Sequence, residues 1–209
     1  MLIMDAVLET YEATDVVLWP VADPSAVHLL ALSGRMAPTE SGTAMAVLTS
    51  YNDGGHEERE GSEDIAAGRV GHLMTAERVI APGGLRIRDT ATGVTVSPGC
   101  CSGLEDWRDW LGLVNGEEPW LGHDPTPHIE HLGASVRLWP DEDHPRENFI
   151  DLPLAQLPEL LDSVRDQLVV FLAAVEGWAA QHAPALAARL VAKLDEDLAI
   201  SAQLPPDQR

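Results

Sequence analysis

Lysine is almost missing from this chain: Lys193 is the only one among 209 residues, and twelve arginines supply the rest of the positive charge. Against these 13 basic residues stand 34 acidic ones, a formal net charge of −21. A surface of that sign repels nucleic-acid phosphates and anionic lipid headgroups, which excludes partners held by simple attraction to basic patches. It favours a basic protein partner or a cation, or it serves solubility alone. The acids are dense only at Asp53–Asp64 and Asp141–Glu147 and otherwise spread along the chain, as on a solvated face. The scarcity of lysine beside abundant Ala, Gly and Pro reads as high-GC coding bias.

Long apolar runs are missing too. The longest, Leu168–Val175, falls far short of the ~20 residues that span a bilayer. The start, Met1–Asp5, lacks the basic and apolar regions of a signal peptide. The only two cysteines are the neighbours Cys100 and Cys101. Adjacent cysteines seldom bond to each other, so no disulfide framework is implied and a reducing cytoplasm is expected. Common catalytic signatures are absent: no Gly-x-Ser-x-Gly elbow, no phosphate loop, no dinucleotide fingerprint, no Cys-x-x-Cys pair and no His-Glu-x-x-His helix.

What is present is periodicity. From Leu157 onward Leu160, Leu161, Val164, Leu168, Phe171, Leu172, Val175 and Trp178 recur at helical spacing, with Pro158 in the first turn and Gly177 near the expected end. A second helix is predicted from about Pro184, with Leu186, Leu190, Val191, Leu194 and Leu198 on one face. The middle of the chain reads as hairpins. Leu85–Arg88 alternates, Asp89–Gly93 turns and Val94–Val96 returns; His128–Trp139 repeats the pattern about Gly133 and Ala134. In the second hairpin Ile129, Leu132, Val136 and Leu138 are the expected buried residues. Met1–Tyr11 fits helix or strand equally, Asp15–Trp19 and Val27–Leu32 read as short strands, Ala44–Ser50 is ambiguous, and Asn52–Ser62 reads as a mobile loop. Strands followed by helices predict an α+β fold: an antiparallel, hairpin-rich sheet packed by a C-terminal pair of helices. No linker divides the chain, so one domain is expected over 1–201, with a disordered tail over 202–209.

The stretch with chemical content runs from Ser97 to His131. Ser102 and Glu105 have the spacing of a capping box, which predicts a short helix from Gly103 presenting Leu104, Trp107, Trp110, Leu111 and Val114 inward or to a partner. Cys100 and Cys101 would then precede a helix N-terminus, where a thiolate is stabilised; buried, they would be inert small hydrophobes. His123, His128 and His131, with Asp124 and Glu130, gather imidazoles and carboxylates within nine residues. Cys101, His123 and His128 are the candidate metal ligands, a set suited to zinc. A strand at 128–131 would, however, turn His128 and Glu130 to one face and His131 to the other. A catalytic reading would make Cys100 or Cys101 the nucleophile, His123 the base, and Asp124 or Asp109 the orienting acid. Trp107, Trp110 and Trp120 suit either core packing or a binding hot spot.

The run Pro98–Arg108, continued by Pro119–Pro125, resembles uncharacterised acidic single-domain proteins of high-GC bacteria, and that resemblance brings no activity with it. In size, acidity and lack of a catalytic signature the chain also resembles the immunity proteins that neutralise bacterial toxins, which implies an interaction role. The expectation is therefore a cytoplasmic binding module, using Trp107, Trp110, Trp120, His123, Asp124, His128, Glu130 and His131 toward a protein or small ligand. The alternative is a zinc- or cysteine-dependent enzyme centred on Cys100, Cys101, His123 and Asp124.

Overall fold

A computed structural model of the chain describes every residue except 14–17, 24, 26, 34, 54–64, 142–147 and 205–209. Most of the loop expected over 52–62 (all but Asn52 and Asp53), most of both acidic patches and most of the strand expected over 15–19 lie outside the described residues. The fold is α+β, with two antiparallel sheets among the described residues where one was expected.

The first sheet has the strand order β2-β1-β3-β4, built from β1 (Leu2–Glu9), β2 (Leu29–Ala31), β3 (Gly83–Asp89) and β4 (Thr95–Val96). The open reading of Met1–Tyr11 resolves to strand. Ala6, Val7 and Leu8 are all fully buried, so the second half of β1 lacks the alternation of a half-covered strand. It pairs with β3 from Leu2↔Asp89 to Leu8↔Gly83. At the last of these pairs a side chain on Gly83 would collide with the Val7 carbonyl, and Gly83 sits at φ +140°. Only glycine lets the strands meet there.

The second sheet, β5-β6-β7, consists of β5 (His128–His131), β6 (Ser135–Trp139) and β7 (Ile150–Pro153). Its hairpin turns where expected, with Gly133 at φ +78°. Ile129, Val136 and Leu138 are buried as predicted; Leu132, at the turn, is instead 43% exposed. Strand β7 was not read from the sequence.

Among the described residues there are four α-helices: α1 (Pro38–Tyr51), α2 (Ile65–Leu73), α3 (Leu157–His182) and α4 (Ala187–Asp197). Helix α3 buries Leu161, Val164, Leu168, Phe171, Val175 and Trp178, the stripe its spacing predicted. It runs through Gly177 rather than ending there. It packs against β1, α1 and α4, and Gln167 ties it to the strand by donating to the Met4 carbonyl at 2.9 Å. Both sheets and the helices feed one hydrophobic cluster. No helix among the described residues is long and apolar enough to cross a membrane.

Of the tail expected over 202–209, residues 205–209 lie outside the described residues. Leu204 packs on the core, and the Arg108 guanidinium donates to the carbonyls of Ala199 (2.6 and 2.9 Å), Ala202 and Gln203.

Candidate functional site

Residues 99–104 form a ribbon between two other backbone segments. On one side Gly83 N–H donates to the Ser102 carbonyl at 3.0 Å and Leu104 N–H to Ala81 at 2.8 Å. On the other side Gly99 N–H donates to Leu121 at 2.7 Å. Cys100 and His123 exchange both backbone bonds, at 2.6 and 3.0 Å. The contact is close: a side chain on Gly99 or Gly122 would strike the opposing backbone, and Gly122 is at φ +86°. Cys101 and Asp124 both take left-handed φ values, +64° and +51°. Such values cost a non-glycine residue about 1–2 kcal/mol, so the surrounding backbone bonds must hold them.

The expected capping box is not formed. The helical segment is a 3-10 run over Leu104–Asn115, kinked at Asp106, with Gly103 at its N-cap. The Glu105 carboxylate accepts from Ala81 N–H at 2.9 Å instead of from Ser102. Burial raises the Glu105 carboxyl above the usual range, and the Ala81 bond opposes that shift. Leu104, Trp107, Trp110 and Leu113 face the core, whereas Leu111 is half-buried and Val114 is 52% exposed. The indole of Trp107 donates to the Leu198 carbonyl at 2.8 Å, beneath the α4 terminus. Trp107 and Trp110 are therefore core residues and offer no ring to a partner.

Trp120 differs from them. It is 65% exposed, yet its Nε1–H donates to the Cys101 carbonyl at 3.0 Å, so the ring is tethered beside the cysteines. Both cysteines are free and exposed, with Sγ atoms 3.5 Å apart. One donor atom from each of Cys100, Cys101 and His123 lies within 4.8 Å of the others. The His123 Nδ1 is 3.2 Å from the Asp124 carboxylate. In the tautomer that donates Nδ1–H to Asp124, Nε2 carries the free lone pair.

The other candidates fall elsewhere. His128 stacks on Trp139, ring centroids 5.2 Å apart, and does not join the donor cluster. His128 and Glu130 are exposed on one face of β5, while half-buried His131 points the other way. Asp109 is raised by burial and by neighbouring Asp106, and interacts with Arg78 and Glu117 rather than with His123.

Two residues escaped the sequence reading. Glu9, from the end of β1, acts electrostatically on Cys100, and Tyr51, from the end of α1, feels the charges of both cysteines. Burial raises the Tyr51 hydroxyl, and the charges of Cys101, Cys100, Glu105 and Glu9 push it further. The Cys100 thiol is raised as well, first by its bond to Cys101, then by burial and by the charges of Cys101 and Glu9. A helix N-terminus was expected to do the reverse. Nothing in the order of the chain marks Glu9 or Tyr51, because only the ends of β1 and α1 bring them to the ribbon.

Comparison with protein-family models, curated proteins and solved structures finds no match to any of them.

Proposed function

We propose that the chain is a binding protein that captures a basic protein partner on the face formed by Trp120, His123, Asp124 and the two cysteines. The observation that carries this reading is the placement of Trp120. A large ring tethered in an exposed position has given up little-restricted motion before any partner arrives, and tryptophan is among the residues favoured at binding hot spots. The net charge of −21 suits a basic partner and speeds its approach. Two exposed free thiols suit a reducing compartment, the cytoplasm, and the likeness in size and acidity to immunity proteins fits an interaction role.

A cysteine-dependent enzyme is the second reading, favoured by the His123–Asp124 contact. Against Cys100 as its nucleophile stands the raised Cys100 thiol, since the thiolate attacks and a raised pKa depletes it.

Capture from extract of the source cells, by the wild-type chain and by Trp120→Ala, tests the binding reading. A partner retained by wild type, weakened about 30-fold in the variant and released steeply by salt is the expected outcome. Equal, salt-insensitive retention by both chains would contradict it.

A further inference from the structure

The donor atoms beside Trp120 support a second inference, which goes beyond the partner reading and does not depend on it. We propose that Sγ of Cys100, Sγ of Cys101 and an imidazole nitrogen of His123 form a binding site for a thiophilic divalent cation of the zinc type.

The spacing of the donors is the first reason. A tetrahedral centre with Zn–S bonds of roughly 2.3 Å and Zn–N bonds of roughly 2.05 Å sets its sulfurs about 3.8 Å apart and a sulfur and nitrogen about 3.6 Å apart. The two sulfurs already stand 3.5 Å apart, and all three donors lie within 4.8 Å of one another. Rotation of exposed side chains covers the remainder. A linear dithiolate would need its sulfurs about 4.6 Å apart at the same bond length, so the pair fits an angular site better than a digonal one.

Donor chemistry is the second reason. Two thiolates and one imidazole are the ligand types that select zinc over magnesium or calcium, which prefer oxygen. Asp124 stands behind His123 at 3.2 Å, where a carboxylate fixes the tautomer and orientation of a metal-binding imidazole.

The backbone supplies the third. Cys100 and His123 come from segments 23 positions apart, yet they face each other as a bridge pair with both backbone bonds made. The left-handed turn at Cys101 places the second sulfur beside the first. A site assembled before the ion arrives binds without the cost of ordering its ligands. Glu9 acts on Cys100 with negative charge, which favours a cation over an anion there.

Cobalt is the probe. The full, untagged chain is reduced, stripped of metal with a chelator and titrated with Co²⁺ under anaerobic conditions. One Co²⁺ per chain is expected, with a near-ultraviolet thiolate-to-cobalt band and visible bands of tetrahedral strength, all bleached by one equivalent of Zn²⁺. The double variant Cys100→Ser/Cys101→Ser should lose the thiolate band, and His123→Ala should weaken binding and change the visible bands. Asp124→Asn should lower affinity about tenfold while keeping the wild-type spectrum. A folded, reduced wild-type chain that gives no thiolate band would overturn the proposal without any variant. An identical spectrum and affinity in His123→Ala or His123→Gln would overturn the three-donor site.

Discussion

Helix α3 and the ribbon of residues 99–104 with its partner 121–125 are held in place by opposite means. In α3 the side chains do the work: Leu161, Val164, Leu168, Phe171 and Val175 are fully buried, and its backbone bonds run within the helix and to the residues flanking its ends. In the ribbon the backbones hold each other, through the Cys100–His123 bridge, the Gly99–Leu121 bond and glycines where a side chain would collide. A segment fixed by its side chains cannot also display them. One fixed through its main chain leaves them free, so Cys100, Cys101, Trp120 and His123 can face solvent on a defined frame. That is the arrangement a binding site needs.

The sharpest way to separate the two modes is to cut a side chain in α3. Phe171→Ala should destabilise the fold by ~3–5 kcal/mol through lost burial and the cavity it leaves, read as a lower urea midpoint. The cysteines should keep their native reactivity wherever the variant remains folded. Adding a side chain to the ribbon should do the converse. Gly122→Ala forces a positive φ and a backbone collision, for a cost of roughly 1–3 kcal/mol, and should change the thiol labelling rate at a denaturant concentration where the core is intact. If Gly122→Ala leaves labelling untouched, the backbone does not hold the cysteines.

The smallest effect concerns Glu105, which lies between the two regimes as a buried carboxylate bonded to a main-chain N–H. Its carboxyl is raised in the folded state, so the native protein holds this proton more tightly than the unfolded chain does. That contribution to stability is full below the unfolded carboxyl value of ~4.3 and is lost as pH rises through the folded one. Glu105→Gln keeps an acceptor for Ala81 and removes the charge. The wild-type-minus-variant stability should therefore fall with rising pH across this window and flatten above it. A difference that rises with pH would mean that Glu105 is stabilised as an anion.

How much of this was legible followed the same division. The stripe of α3, the face of α4 and the hairpin at Gly133 were readable because periodicity and turn chemistry are local. The ends of α3 were less so: Gly177 falls on an open face where no neighbour crowds it, and the helix continues past it. Strand β1 was ambiguous because burial on both faces at Ala6, Val7 and Leu8 breaks its alternation. At the site, the grouping of Cys100, Cys101 and His123 was among the pairings the sequence allowed, but their meeting depends on a bridge between segments that no spacing rule encodes. The capping box failed for a tertiary reason, since Ala81 offered Glu105 a buried N–H that the local pattern could not show. The tryptophans looked alike in the sequence. Trp107 and Trp110 went to the core through the helical segment's inward face, while Trp120 lies beyond that segment and was left outside.

The most direct measurement is a count of thiols that react with an aromatic disulfide reagent in the native, reduced protein without denaturant. Both Cys100 and Cys101 are exposed and free, so two thiols per chain should react in the folded state, with no further thiol released by guanidinium. Reaction that awaits unfolding would place the cysteines in the core and contradict the exposed donor face on which both proposals rest.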